Sequence, residues 1–100
     1  MGEYNVILSN CAQSDFLDLA EHMDTLPSAV ATQSFESFVG RIALLEAAPT
    51  SCPLAKDAQL RLRGYRILPI DNYIVFYVIN RNIVEIRRIL YARRQYEGLF

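Results

Sequence analysis

Residues 64–100 read GYRILPIDNYIVFYVINRNIVEIRRILYARRQYEGLF, and the fold turns on how this stretch is divided. At its centre, residues 73–79 form an unbroken apolar run, long enough for one strand and too short for a typical helix. Such a run belongs inside a sheet, covered on both faces. Asp71-Asn72 and Arg81-Asn82 flank it with residues that tolerate positive φ, as two-residue hairpin turns require, and Asn80 extends the second turn signal. Pro69 removes one ladder donor, which assigns its strand to a sheet edge or turns its free side outward. These signals make three antiparallel strands in a meander, ending in a short arginine-rich tail.

Upstream, residues 3–9 (EYNVILS) alternate Tyr4, Val6 and Leu8 against Asn5 and Ile7, the pattern of a half-buried strand. Ser9 or Asn10 can cap a helix that starts just after this strand. Over residues 11–24, Phe16, Leu19, Ala20 and Met23 recur at i, i+3, i+4 and i+7, with Asp15, Asp18 and Glu21 on the other face of a helix. His22 lies off the stripe and reads as a surface residue. Thr25-Leu26-Pro27-Ser28 breaks the helix, and Pro27 suits the first turn of the next one. From there to about residue 47, Phe35, Phe38, Val39, Ile42 and Leu45 form a second stripe, read as core and not as a cofactor site. Residues 48–57 (APTSCPLAKD) are the one loop-like stretch. The order β-α-α-β-β-β predicts an α+β sandwich in one domain over residues 1–100. A helical hairpin packs on one face of an antiparallel sheet, and the other face stays largely open.

Apolar residues make up 52% of the chain, which places it in the globular class. No apolar run approaches the roughly eighteen residues of a membrane span. No basic and apolar leader precedes the first strand, so the chain reads as cytoplasmic, with no membrane partner. Cys11 and Cys52 lack metal spacing and read as free thiols, and His22 is the single histidine, so neither a metal nor a cofactor is expected. The net charge of −1 hides a division. Residues 1–60 carry two basic side chains against eight acidic ones, a net of −6; residues 61–100 carry eight arginines against three acidic residues, a net of +5. Arginine pairs bidentately with phosphate or carboxylate and stacks on flat rings. An anionic partner on the sheet side is expected, either nucleic acid or an acidic protein segment. The plainer reading is a charge pattern balanced within the fold.

Taken together, the Gly64-Tyr65-Arg66 strand start, the Asn72-Tyr73 hairpin, the Val75-Phe76-Tyr77 strand and Arg88-Ile89-Leu90-Tyr91 running on to Arg93-Arg94 are distinctive. This pattern resembles the RelE/ParE family of bacterial toxins from type II toxin–antitoxin modules. It covers about the last forty residues, and the β-α-α order upstream agrees with the family fold. The resemblance implies one of two activities. One branch cuts messenger RNA in the ribosomal A site; the other poisons DNA gyrase and has lost the nuclease residues. It also implies a co-expressed acidic antitoxin whose C-terminal segment wraps the toxin, with operator DNA reached only through that antitoxin.

Cutting RNA without a metal needs a base for the 2′-hydroxyl, a cation for the charge on the phosphoryl oxygens and an acid for the leaving 5′-oxygen. By the resemblance, Arg66 and Arg94 fall at basic positions, and Tyr96 or Phe100 at one filled by an aromatic or a histidine. The expected catalytic set is Arg66, Arg94 and Tyr96, with Arg63, Arg88, Tyr91, Arg93 and Phe100 contacting substrate. Two departures stand out: Leu68 replaces a residue that is often lysine in the RNA-cutting branch, and Ile74 one that is often arginine. The tail holds neither a histidine nor an isolated carboxylate, and a tyrosine with a pKa of ~10 is a poor base unless arginines lower it. The plainer readings pair Arg66 and Arg88 with Glu85 or the antitoxin, and put Tyr65, Tyr73 and Tyr77 in the sheet. The expectation is ribosome-dependent messenger cleavage. The alternatives are a gyrase poison without nuclease activity, or an inactive member that only binds its antitoxin.

Overall fold

The computed structural model describes residues 3–91. Both expected hairpins close with two-residue turns. Strand β2 (Arg66–Ile70) pairs antiparallel with β3 (Tyr73–Asn80), placing Ile70 opposite Tyr73; β3 pairs antiparallel with β4 (Ile83–Tyr91), placing Asn80 opposite Ile83. The first residue of each turn takes left-handed backbone, Asp71 at φ 52° and Arg81 at φ 57°. Pro69 lies on β2, the outermost strand at that side of the sheet, as its missing N–H demands.

Strand β1 (Asn5–Leu8) completes the sheet as a parallel neighbour of β4, with Val6 opposite Val84 and Leu8 opposite Ile86. The order is β1-β4-β3-β2, and the sheet is mixed where a wholly antiparallel one was expected. A parallel pair requires a long crossover, which no local turn signal announces. Helix α1 (Asn10–Met23) comes directly after β1. Ser9 caps it: the Ser9 hydroxyl accepts from the Ala12 N–H at 3.2 Å and donates to the Arg87 carbonyl at 3.0 Å, tying the helix start to β4. Helix α2 (Ser28–Ala47) begins just after Pro27, which stands at the capping position and not in the first turn. A 3₁₀ turn (Pro49–Ser51) and a short helix α3 (Ala58–Leu62) occupy the connection to β2.

The main core lies between the helices and the sheet. Ala12, Leu19, Phe38 and Leu45 from the helices meet Leu68, Val75, Tyr77, Val84 and Ile86 from the strands. The second helical stripe is less buried than its period suggests: Phe38 and Leu45 are enclosed, whereas Phe35 and Val39 remain 42% and 49% exposed. The far face of the sheet is not largely open. Ala55 and Leu60 of the 48–65 connection cover Tyr65, Phe76 and Leu90 there, forming a second apolar cluster. Gly64, at φ 81°, makes this possible. It closes α3 with the N–H of Gly64 donating to Arg61 O and the N–H of Tyr65 to Leu60 O, both at 3.0 Å, which folds Tyr65 back onto Leu60.

The β3–β4 register slips between Phe76 and Tyr77, which pair with Arg88 and Ile86 and leave Arg87 as the extra residue of a bulge. The helix-side core therefore takes Val84 and Ile86, and then Ile89.

Candidate functional site

The arginines expected to share one surface are distributed over both sides of the sheet. Arg66 lies at the start of β2 in alternation with Leu68 and Ile70, so it sits on the helix side. Its guanidinium donates from Nη1 to the carbonyls of Cys52 at 2.6 Å and Thr50 at 3.4 Å, holding the 3₁₀ turn against the sheet. Beside it, Tyr77 is fully buried and donates its hydroxyl to the Pro49 carbonyl at 2.5 Å. Burial, and then the Cys52 thiol it contacts, push the Tyr77 phenol well above the usual tyrosine range, against the lowering pull of Arg66. A tyrosine so placed holds its proton and offers no base.

Arg63 and Arg87 lie on the far side. Their guanidinium carbons stand 5.3 and 5.9 Å from the centroid of the buried Tyr65 ring, within cation–π distance, and Arg87 forms an ion pair with Glu85. Arg88 goes elsewhere. Its Nε and Nη2 donate to the two Asp15 oxygens at 2.7 and 3.0 Å, and the same carboxylate accepts the Ile89 N–H at 2.9 Å. The Asp15 hydrogen bond, opposed by burial, raises the Arg88 pKa, so its charge is permanent. Tyr91 packs edge-to-face on Tyr73, with ring centroids 5.5 Å apart, beside α1 and away from the Arg63–Tyr65–Arg87 stack. Arg93, Arg94, Tyr96 and Phe100 lie outside the described residues.

The two departures from the RNA-cutting pattern are both apolar packing positions. Leu68 is 2% exposed in the helix-side core, and Ile74 packs against the far-side cluster. Between α1, α2 and β4 runs an apolar groove of about 230 Å³, lined by Phe16, Phe38, Val39, Ile42 and Ile86 among others. Among the described residues, no three histidine, cysteine or carboxylate side chains stand close enough together to hold a metal ion, and no helix is long and apolar enough to cross a membrane.

The sequence profile described as the ParE toxin of type II toxin-antitoxin systems (parDE) matches residues 6–96. The chain belongs to the ParE toxin family. This ParE-family fold is similar to a chain of the chromosomal ParDE toxin–antitoxin system of P. aeruginosa, with a TM-score of 0.72 at 14% identity over 91% of this chain and 98% of the other. It is also similar to a chain of the RelBE2 toxin–antitoxin complex of Mycobacterium tuberculosis, with a TM-score of 0.55 at 22% identity over 89% of this chain and 98% of that one. No curated protein matches the sequence. Two features of this ParE-family chain went unseen in the sequence. Asp15 is placed there on the helix face away from the apolar stripe, but is 9% exposed and organises the free edge of β4. Arg87 on β4 stands over the ring of Tyr65, a residue far from it in the chain. Neither contact leaves a local signal.

Proposed function

We propose that this chain is a growth-inhibiting toxin that acts by binding DNA gyrase, without cutting RNA, and that a co-expressed antitoxin neutralises it. The observation that carries the reading is Leu68, 2% exposed in the core at a strand position that, by the resemblance, is often lysine in the RNA-cutting branch, so no cation stands there. Ile74 supports it in the same way on the far side, where the resemblance sets an arginine. Arg66 is turned to the backbone carbonyls of residues 50 and 52, which favours a structural use of that cation. For the antitoxin we infer an amphipathic segment with its apolar face in the groove of Phe16, Phe38 and Val39 and its carboxylates towards the arginines.

The test pairs two purified assays. Supercoiling by gyrase is expected to fall as toxin is added, while primer extension on a defined message in a purified translation system shows no new ends. Unaltered supercoiling at saturating toxin overturns the gyrase reading. New ends that appear only when ribosomes occupy the message would put cleavage in its place and make Arg94 and Tyr96 the next targets.

A further inference from the structure

Separate from the apolar groove and from the Arg63–Tyr65–Arg87 stack, a second cleft opens between α1 and the ends of β3 and β4. It has a volume of about 220 Å³ and combines an apolar floor (Leu19, Ile89) with two tyrosine rings and the side chains of Asp18 and His22. Asp18 and His22 are four residues apart on α1 and so lie on one helix face. The two carboxylates at this cleft are not equivalent. Asp15 spends both oxygens on Arg88 and the Ile89 N–H. Asp18 is exposed and has no hydrogen bond or ion pair among the described residues.

We propose that this cleft receives one lysine or arginine side chain from the antitoxin. The inference rests on the antitoxin reading above. Its chemistry is that of a cation site: an unspent carboxylate, an aromatic wall and an apolar floor for the methylene stem. Tyr73 and Tyr91 meet edge-to-face at 86°, so within the pair only one ring turns a face to its partner and the edge-on ring keeps its faces clear of it. Burial, and then the neighbouring Tyr91, hold the Tyr73 phenol above its ordinary pKa, so it stays neutral and adds a hydroxyl to the wall. An anionic occupant is disfavoured by Asp18, and a purely apolar one would leave that carboxylate desolvated and unpaired. The antitoxin thus meets arginines with its acidic stretch and this cleft with a basic residue, which fixes its register along the toxin.

The experiment measures antitoxin affinity for the native chain, Asp18→Asn, Tyr91→Ala and, as a control carboxylate on α2, Glu36→Gln. Circular dichroism checks the fold of each. In parallel, NMR of the native chain follows the Tyr73, Tyr91 and His22 resonances during titration with N-acetyl-argininamide or the uncharged N-acetyl-norleucinamide. The expected result is a loss of about tenfold for Asp18→Asn and for Tyr91→Ala, with Glu36→Gln within about twofold of native. Argininamide alone is expected to shift the three resonances. Asp18→Asn binding as tightly as Glu36→Gln overturns the proposal. If the native chain binds no antitoxin, selective shifts with argininamide keep the cation site and discard its assigned occupant; their absence discards both.

Discussion

Asp15 and Arg88 stand 73 positions apart in the chain and form a two-bond pair, with side-chain exposures of 9% and 15%. The carboxylate also takes the Ile89 N–H, which the short strand β1 leaves without a partner because it ends opposite Ile86. One side chain thus serves as a strand substitute and as the counter-ion of an enclosed arginine. Asp15→Ala is expected to cost about 3 kcal/mol in urea unfolding, because it removes the carboxylate that pairs with a largely enclosed guanidinium and the acceptor of the buried Ile89 amide. Arg88→Met on that background should recover part of the loss, and an additive double mutant would contradict the pairing.

Leu68→Lys is the substitution that the RNA-cutting pattern invites. Here it would drive an ammonium into the core between Val75 and the helices. A loss of about 4 kcal/mol or more is expected, enough to abolish folding of a marginal domain. A soluble Leu68→Lys protein with native circular dichroism and unchanged urea midpoint would show that the position can open to solvent.

Arg66→Ala removes the donor that holds the carbonyls of residues 50 and 52. It should destabilise by about 1–2 kcal/mol. At temperatures where the variant stays folded, the growth arrest it causes should be unchanged. Complete loss of toxicity in a variant with native stability would return Arg66 to the active set.

The two tyrosines with raised pKa values give a pH dependence with a definite sign. Tyr73 and Tyr77 hold their protons in the folded chain beyond the value of about 10 at which an unfolded tyrosine releases its own. The unfolded state therefore ionises first: the stability tied to the two protonated phenols is fully present below about pH 10 and is lost as the pH rises above it. Absorbance at the phenolate band should show a late-titrating fraction that is absent in guanidinium, and Tyr77→Phe should shrink it. A single titration step near the ordinary tyrosine value would contradict the buried Tyr77–Pro49 bond.

Arg81 adopts φ 57° in a two-residue turn that contains no glycine. Asparagine accepts this backbone more readily than arginine does. Arg81→Asn is expected to stabilise by about 0.5–1 kcal/mol in denaturant titration, without moving antitoxin affinity. A lower midpoint would mean that the arginine makes a contact that outweighs its strain.

The meander was legible because its signals are local. Two turn dipeptides bracket an apolar run of strand length, and a lone proline declares the edge. The pairings of β1 and Asp15 were not, since both depend on residues more than seventy positions away. Helix α3 spans only five residues, too few to show a period, and so residues 58–62 gave no sign that they would cover the far face. The bulge at Arg87 defeated the reading of the candidate site. A strict alternation through β4 would assign side chains to faces in the wrong order beyond Arg87, while the basic surface inferred from composition divides because Arg66 falls on the helix side of β2 and Arg63 and Arg87 on the far side.

Strand β4 is central in space yet last in sequence among the described strands, with β1 and β3 as its two neighbours. During synthesis the first sixty-five residues can collapse or form helix, but they have no sheet to rest on. The β2–β3 hairpin can form next, and only the arrival of β4 lets the distant N-terminal strand dock, a closure with a high loop-entropy cost. A ribosome that stalls before residue 83 therefore releases a chain without a native core. The native surface, and with it anything an antitoxin could recognise, appears at one late moment of translation.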